Sequence, residues 1–333
     1  MIIFTQETDM TISKRDFLSM GGALGAGLAL PAWAQAKPLF DTINMFVPAA
    51  PGGGWDGTAR SIERAAKASG LVGNFQFENV GGAGGMIGLP RFVNQRKGQG
   101  NSLMVGGSVM VGAGITNKSP VTIRSVVPLA RLTEESSVVV VPAGGKIKTW
   151  NELVAALKAN PKAVSVAGGS AGGTDHIVLG LMIKALGRNP REAAYVAFAG
   201  GGPANAAILG NQVTAGISGY SEFEDQITAG RMIPLAVSGN VRIPGVNVPT
   251  LRELGLNVAV ANWRGVFAAP GVTAAQRDKL VELMSKLNQS TAWQQELVNR
   301  KWTGVYLADL PFEREIDKDI SDTEAVLKDL GLA

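Results

Sequence analysis

Few side chains in this sequence are suited to covalent chemistry, because the chain of 333 residues has one histidine and no cysteine. The lack of cysteine excludes disulfides, thiol nucleophiles, iron–sulfur clusters and cysteine-ligated zinc. A metal site built from several histidines is excluded as well, and no loop of regularly spaced Asp, Asn and Glu indicates a site made of carboxylates. We therefore expect neither a metal ion nor a cofactor.

The stretch "GGSAG", from Gly168 to Gly172, matches the G-x-S-x-G pattern around the nucleophilic serine of many hydrolases. A catalytic triad also needs a histidine on a separate loop downstream, after an acidic residue. The only histidine, His176, follows Ser170 by six positions, inside the helix that the serine would open. We expect His176 to orient the turn or pack at the helix start, and Ser170 to donate its hydroxyl. No catalytic residue is predicted.

The acidic residues offer no evident pair for acid–base catalysis. Glu134, Glu135 and Glu222 lie in polar stretches, where a solvated surface position is the default expectation. Asp56 and Asp175 follow glycine-rich turns and are expected to cap or orient them. An enzyme acting on a small acid, with Asp56 or Asp175 as its base, remains the alternative hypothesis.

Five glycine-rich stretches each join a strand-like run to a helical one. Glycine lets backbone N–H groups approach a ligand closely, and the following helix adds its N-terminal dipole. We expect Asp56, Thr174 and Asn205 to be N-caps of such helices. One turn alone is more often a tight loop, but five in an α/β protein are expected to meet at one cleft. The stretches are "PAAPGGGWDGTA", "NVGGAGGMIG", "GGSVMVGAG", "VAGGSAGGTDH" and "AFAGGGPAN".

These turns do not match nucleotide-binding patterns. "GGAGGMIG" places Gly88 one residue late for the dinucleotide fingerprint, and "GGKIKT" lacks the first glycine and the hydroxyl residue of a phosphate loop. The formal net charge of +4 is spread along the chain without a basic and aromatic tract, so we expect no nucleic-acid partner. The pattern favours a cleft of neutral donors that binds a small anion.

The order of apolar runs and amphipathic stretches indicates an α/β fold with short, largely parallel strands. Two apolar runs, near Val138 and Val258, flank a central block with its own α/β units. If both runs cross between two lobes, residues 37–138 and 259–333 form lobe 1, and residues 139–258 form lobe 2. The ligand cleft is then expected between the lobes.

The N-terminal residues 1–36 have the pattern of an export signal. Lys14 and Arg15 precede an apolar stretch, and Ala34-Gln35-Ala36 fits a cleavage site after Ala36. "SKRDFL" resembles a twin-arginine signal with lysine in place of the first arginine, which leaves the export route open. A membrane anchor is the alternative, but the short apolar stretch favours release into the periplasm.

Taken in order, the motifs resemble the periplasmic solute-binding receptors of tripartite tricarboxylate transporters. The resemblance runs from about Pro38 to the C-terminus, and "GGGWD", "GGTDH" and "NWRGV" are similar to the tricarboxylate branch. It implies a type II periplasmic-binding-protein fold, with two α/β lobes, two crossover strands and a cleft that closes on the ligand. The motifs are "PAAPGGGWDGTAR", "ENVGGAGGMIG", "AGGSAGGTDH", "YVAFAGGGPANAAILGNQVTAGISGYSEF", "RMIPLAVSGN", "VPTLRELG" and "NWRGVFAAPGVT".

The resemblance also implies a ligand, partners and a set of contact residues. The ligand is a citrate-like di- or tricarboxylate, delivered by a monomeric receptor to two membrane subunits of the transporter, and a sensory role is not distinguished from transport. Trp55 either stacks on the ligand or packs beneath its turn. The implied contacts are Pro51, Gly53, Gly54, Trp55, Asp56, Gly84 and Ser108 in lobe 1, and Ser170, Gly173, Thr174, Ala199, Gly200, Gly201 and Tyr220 in lobe 2.

Overall fold

Strands and helices alternate along residues 37–333, the range that this computed structural model describes. The predicted export signal, residues 1–36, lies outside that range. The strands are β1 (Phe40–Val47), β2 (Val72–Asn79), β3 (Ser102–Gly107), β4 (Val127–Pro142), β5 (Ser165–Gly168), β6 (Ala194–Ala197), β7 (Ala215–Gly219), β8 (Met232–Val237), β9 (Ala261–Ala268) and β10 (Thr303–Ala308). The α-helices are α1 (Gly54–Ala68), α2 (Gly88–Gln95), α3 (Ser108–Thr116), α4 (Trp150–Ala159), α5 (Thr174–Ala185), α6 (Gly201–Leu209), α7 (Tyr220–Thr228), α8 (Ala274–Gln289), α9 (Thr291–Asn299) and α10 (Asp309–Leu330).

The strands form one mixed sheet in the order β2-β1-β3-β9-β4-β7-β5-β6, with β8 and β10 also paired to β4. At one end β1 pairs in parallel with β2 and β3, and at the other β5 pairs in parallel with β6 and β7. The central strands β4 and β9 are antiparallel to their neighbours. The parallel pairs carry most of the strand-to-helix turns, so these turns collect at the carboxyl ends of the strands.

The long strand β4 joins the two halves of the sheet. Its first part, up to Ser136, pairs with β9, and its last part, from Ser137, pairs with β7 and β8. The valines from Val138 to Val141 are all buried, which explains why this run is apolar on both faces. The second predicted crossing run, around Val258, is irregular until Val260, whose N–H donates to the Ser238 carbonyl at 2.8 Å.

The apolar core has three clusters. The largest combines residues 40–132 with residues 263–316, and the other two draw on residues 138–258. The whole range from Lys37 to Ala333 nevertheless forms one compact unit. The boundaries of the two lobes therefore stay a prediction. Within this range no helix has both the length and the apolar character needed to cross a membrane.

Candidate functional site

Helices α1, α3, α5, α6 and α7 each follow a strand and begin near the same edge of the sheet. All five have glycine at the N-cap, with no hydrogen bond from a capping side chain. The prediction that Asp56, Thr174 and Asn205 are the N-caps is wrong, because each lies inside its helix. A glycine N-cap offers no side-chain acceptor to the N–H groups of the first turn. The N-caps are Gly53, Gly107, Gly173, Gly200 and Gly219.

The turns before α1, α2, α5 and α6 line a cleft of about 550 Å³, solvent at its mouth included, and the first turns of α3 and α7 add one residue each to its wall. Turns from distant parts of the chain approach one another closely across it. A Cβ on Gly84 would lie 3.3 Å from the Cβ of Ser170, and a Cβ on Gly200 would lie 4.0 Å from the Cα of Gly53. Eight of the predicted contact residues line the cleft: Gly53, Gly54, Trp55, Gly84, Ser170, Ala199, Gly200 and Gly201.

Three predicted contact residues, Pro51, Asp56 and Ser108, lie outside the cleft wall, near the starts of α1 and α3. Pro51 is exposed on the first turn. The Asp56 carboxylate accepts hydrogen bonds from the Gly52 N–H and from Asn79 Nδ2, each at 3.0 Å, so it holds that turn from behind. Ser108 Oγ accepts a hydrogen bond from the Trp263 N–H at 3.1 Å. None of the three is among the residues of the cleft wall.

The other three predicted contact residues are also outside the wall. The Gly173 N–H donates to the Ser170 carbonyl at 3.0 Å and closes the turn between β5 and α5. Thr174 is buried at the start of α5, and its Oγ1 has no hydrogen-bond partner among residues 37–333. Tyr220 is 6% exposed and packs into an apolar cluster with Phe223. A direct ligand contact for these residues stays a prediction.

Trp55 both lines the cleft and supports the neighbouring turn. Its side chain is 7% exposed, and a Cβ on Gly85 would lie 3.0 Å from the ring atom Cζ3. Gly85 has a φ of +90°, a backbone conformation that glycine adopts readily and that other residues rarely do. The turn around Gly85 is therefore packed directly onto the indole.

His176 has the orienting role that its position in the sequence suggests. Its Nδ1 accepts a hydrogen bond from the Gly172 N–H at 3.2 Å, and its ring stacks on Tyr195 with a centroid distance of 4.2 Å. Burial lowers the pKa of His176 to about 4, so the imidazole is neutral near pH 7. The Tyr195 hydroxyl donates to the Gly169 carbonyl at 2.8 Å and fixes the same turn.

The sequence interpretation missed a charged cluster at the base of the cleft. Arg264 on β9 is 1% exposed, and its Nη2 lies 2.5 Å from Oε2 of Glu135 on β4. Glu222, in the first turn of α7, lines the cleft with Arg264, and its Oε2 accepts a 2.5 Å hydrogen bond from the Ser218 hydroxyl. The expectation that Glu135 and Glu222 are solvated is therefore wrong. An arginine inside the apolar run "NWRGVFAAP" was the available signal, because arginine is seldom fully buried without a partner.

A second acidic side chain, Asp175, enters the cleft from the first turn of α5. Its Oδ2 accepts a hydrogen bond from the Gly169 N–H at 2.9 Å, and its Oδ1 accepts one from the Ser137 hydroxyl at 3.3 Å. Burial raises the pKa of Asp175 to about 7, and the nearby Glu222 and Glu135 add to this, although the two hydrogen bonds oppose it. Burial also raises the pKa of Glu222, against the opposing charge of Arg264.

The charged cluster explains two of the glycines in the turns. A Cβ on Gly54 would lie 2.5 Å from Arg264 Nη2, and a Cβ on Gly201 would lie 2.5 Å from Ser218 Oγ. The space beside these glycines is therefore occupied by the protein's own polar side chains. Among residues 37–333 no three His, Asp or Glu side chains are grouped in a way that could hold a metal ion.

The family model for the tripartite tricarboxylate transporter family receptor matches residues 60–332 of this chain. Among curated proteins, BugT of Bordetella pertussis is 30% identical over 253 residues, which cover 74% of this chain and 76% of BugT. A protein encoded in the tcbD-tcbE intergenic region of Pseudomonas is 29% identical over 256 residues, covering 75% of this chain and 74% of its own length.

Solved structures share the fold. The periplasmic binding protein BugD superposes with a TM-score of 0.76 at 23% identity, over 88% of this chain and 98% of BugD. MatC of Rhodopseudomonas palustris, with bound malate, has a TM-score of 0.73 at 24% identity, over 86% of this chain and 99% of MatC. An adipate-bound R. palustris protein has a TM-score of 0.78 at 21% identity, over 88% of this chain and 98% of its own. The predicted periplasmic-binding-protein fold is thereby confirmed.

Proposed function

Because this chain belongs to the tripartite tricarboxylate transporter receptor family, we propose that it captures a citrate-like di- or tricarboxylate in its cleft. We further propose that, as a monomer, it delivers this ligand to two membrane subunits of such a transporter. The family consists of periplasmic solute-binding receptors, so the chain is a receptor and not an enzyme. Export by a signal in residues 1–36 is part of the proposal.

Glycine-capped helix starts meet at one cleft, and this arrangement is the main support for the proposal. The starts of α1 and α6 contribute Gly53, Gly54, Gly200 and Gly201 to its wall. Helix N-termini favour negative charge, because their free N–H groups and the helix dipole both point toward the ligand. Arg264 adds the one positively charged side chain among the cleft-lining residues. Together these groups can hold carboxylates without a metal ion.

Two similar structures were solved with carboxylic acids, malate in MatC and adipate in the second R. palustris protein. Their ligands support a carboxylate for this chain as well. We propose that the eight cleft-lining residues predicted from the sequence contact it. Closure then follows as a population shift, because a ligand that touches turns from both ends of the sheet stabilises the state in which they meet.

Isothermal titration calorimetry of the chain from Lys37 onward tests this function with citrate, malate and succinate. We expect saturable binding of one molecule per chain, and mass spectrometry of the recovered ligand should find it unchanged. Ser170→Ala should weaken binding by on the order of 1 kcal/mol if its hydroxyl reaches a carboxylate. Ser285→Ala, on the outer helix α8, is the matched control. Absence of binding to every acid, or turnover of one, would contradict the proposal.

A further inference from the structure

The cleft contains hydrogen-bonding groups that a plain carboxylate would leave unused. Oε1 of Glu222 is buried and makes no hydrogen bond of normal geometry among residues 37–333, although the Gly54 N–H is close enough to lower the pKa of Glu222. Oδ1 of Asn262 is also buried without a hydrogen-bond partner in that range. Both residues line the cleft. Both oxygens accept hydrogen bonds, whereas a carboxylate ligand offers only further acceptors. Buried polar atoms are nearly always paired, so acceptors without partners in a binding cleft indicate a donor on the ligand.

Oε1 of Glu222 lies beside the start of α1, one of the turns predicted to bind a carboxylate. Oε2 is engaged by the Ser218 hydroxyl, which fixes the side chain. Oε1 then lies 3.9 Å from the position of a Cβ on Gly53 and 3.3 Å from that of a Cβ on Gly54. A ligand that lies against the start of α1 would therefore be within reach of Glu222.

The charge balance around Glu222 also favours a donor. The guanidinium of Arg264 is paired with Glu135 and close to Glu222, and both of these carboxyl groups also act on the pKa of the third, Asp175. Glu135 is paired with Arg264 Nη2 through Oε2, and its Oε1 accepts a hydrogen bond from the Ser221 N–H at 2.7 Å. Arg264 Nε and Nη1 have no hydrogen-bond partner among residues 37–333 and can donate to a ligand oxygen. Asn262 and Arg264 are two residues apart on β9, which places them on the same face of the strand.

We infer that the ligand of this cleft is a carboxylic acid that also carries a hydrogen-bond donor, a hydroxyl or an ammonium group, which Glu222 accepts. This inference rests on the proposed function and narrows its substrate class. Glu222 is then a specificity-determining residue, because a ligand without the donor would leave the buried Oε1 unpaired. A site built to pair with a ligand hydroxyl rejects the analogue that lacks it.

Calorimetry with matched acids tests the inference. Citrate is compared with tricarballylate, and malate and aspartate are each compared with succinate. In the wild-type chain we expect an acid that binds and carries the matching donor to have at least about tenfold higher affinity than the acid that lacks the donor. A preference for malate identifies the hydroxyl as the donor, and a preference for aspartate identifies the ammonium.

The variant Glu222→Gln should reduce this preference, since the amide lacks the carboxylate's charge. Glu224→Gln, on the same helix but outside the cleft wall, is the control and should keep it. Thermal melting checks that both variants fold. Donor-bearing and donor-free acids bound within about twofold by the wild type, or an undiminished preference in Glu222→Gln, would overturn the inference while leaving the receptor function intact. If none of these acids binds, the proposed function itself fails.

Discussion

The helices that begin at the cleft differ from those on the outside of the molecule in how their first turns are satisfied. At the cleft, α1, α3, α5, α6 and α7 have glycine N-caps without side-chain hydrogen bonds. Away from it, α4, α8 and α9 are capped by the side chains of Thr149, Thr273 and Ser290. Helices α2 and α10 also lack a capping side chain, but their N-caps are Ile87 and Ala308.

The comparison separates stability from binding. A side-chain cap satisfies donors of its own helix and stabilises the fold. A glycine N-cap gives up that stabilisation and keeps the first turn accessible to another acceptor. The side-chain caps of α4, α8 and α9 thus favour stability, whereas the starts of α1, α3, α5 and α6 are available for an anion. The start of α7 is an exception, because its Ser221 N–H donates to Glu135 Oε1 at 2.7 Å.

The largest effect is expected for Gly54→Ala at the start of α1. The new Cβ would lie 2.5 Å from Arg264 Nη2 and 2.9 Å from its Cζ, so the buried guanidinium that pairs with Glu135 must shift. We expect a loss of citrate affinity of more than about tenfold and a loss of about 1–3 kcal/mol in the free energy of unfolding. Calorimetry and urea denaturation measure the two effects.

Gly57→Ala on the same helix is the matched control for that variant. No atom lies within 4 Å of its added Cβ, and alanine favours the helix over glycine. We expect unchanged affinity and stability that is equal or higher by up to about 1 kcal/mol. If Gly54→Ala and Gly57→Ala had the same citrate affinity and the same free energy of unfolding, crowding against Arg264 would have no effect on the cleft.

Asp175 should give the cleft a characteristic dependence of stability on pH. Its pKa is about 7 in the folded chain and near 3.8 when unfolded, so between these values the folded state holds more protons. Its contribution to stability is therefore full at low pH and falls as pH rises from about 4 to about 7. Asp175→Asn should remove this fall, measured as the difference between melting curves of the two proteins.

The pKa of His176 is about 4, below its ordinary 6.5, so the contribution of His176 to stability rises with pH. This rise is present in both proteins and cancels in the difference between them. If the difference in stability between the wild type and Asp175→Asn stayed constant from pH about 4 to about 7, the raised pKa of Asp175 would be contradicted. At pH values above 7 the ionised Asp175 should also repel a carboxylate ligand, so citrate binding should weaken there in the wild type and less in Asp175→Asn.

A smaller effect is expected when a side-chain cap is added at the cleft. Gly53 has β-region backbone angles, and the nearest atom to an added Cβ is 3.5 Å away, so Gly53→Ser fits without strain. Its hydroxyl should accept a hydrogen bond from the first turn of α1 and raise stability by a few tenths of a kcal/mol. Citrate affinity should fall several-fold, because the ligand loses that donor. Tighter binding would contradict the role assigned to the glycine N-cap.

The converse change removes a cap from an outer helix. Thr273 Oγ1 accepts from the Gln276 N–H at 3.2 Å, and the Gln276 side chain accepts from the Thr273 N–H at 2.8 Å. Thr273→Ala should cost about 1 kcal/mol in the free energy of unfolding. Citrate affinity measured by calorimetry should stay at the wild-type value. A change in affinity would mean that α8 is coupled to the cleft.

The sequence predicted what local patterns encode. Alternating apolar and amphipathic runs indicated the α/β fold, and glycine before each helix indicated where the turns would meet. The position of Asp56, which ties its own turn through the Gly52 N–H, also follows from local spacing. These features depend on residues close together in the chain, so a single sequence is enough to suggest them.

The charged cluster could not be predicted in the same way. Glu135, Asp175, Glu222 and Arg264 come from β4, α5, α7 and β9, and they meet only because those elements are adjacent in the fold. The polar neighbours of Glu222 in sequence suggested a solvated position, since three-dimensional packing is not visible in local composition. The prediction of the N-caps was wrong for a related reason. Other parts of the chain approach the N-cap glycines closely in the fold, and these contacts are not visible in the local sequence.

A crystal structure of the chain with citrate would show directly whether glycine-capped helix starts at the cleft hold a carboxylate. We expect carboxylate oxygens about 2.7–3.2 Å from backbone N–H groups in the first turn of α1 or α6, between Gly53 and Gly200. Citrate bound elsewhere, or in the cleft without contact to any of these N–H groups, would contradict it.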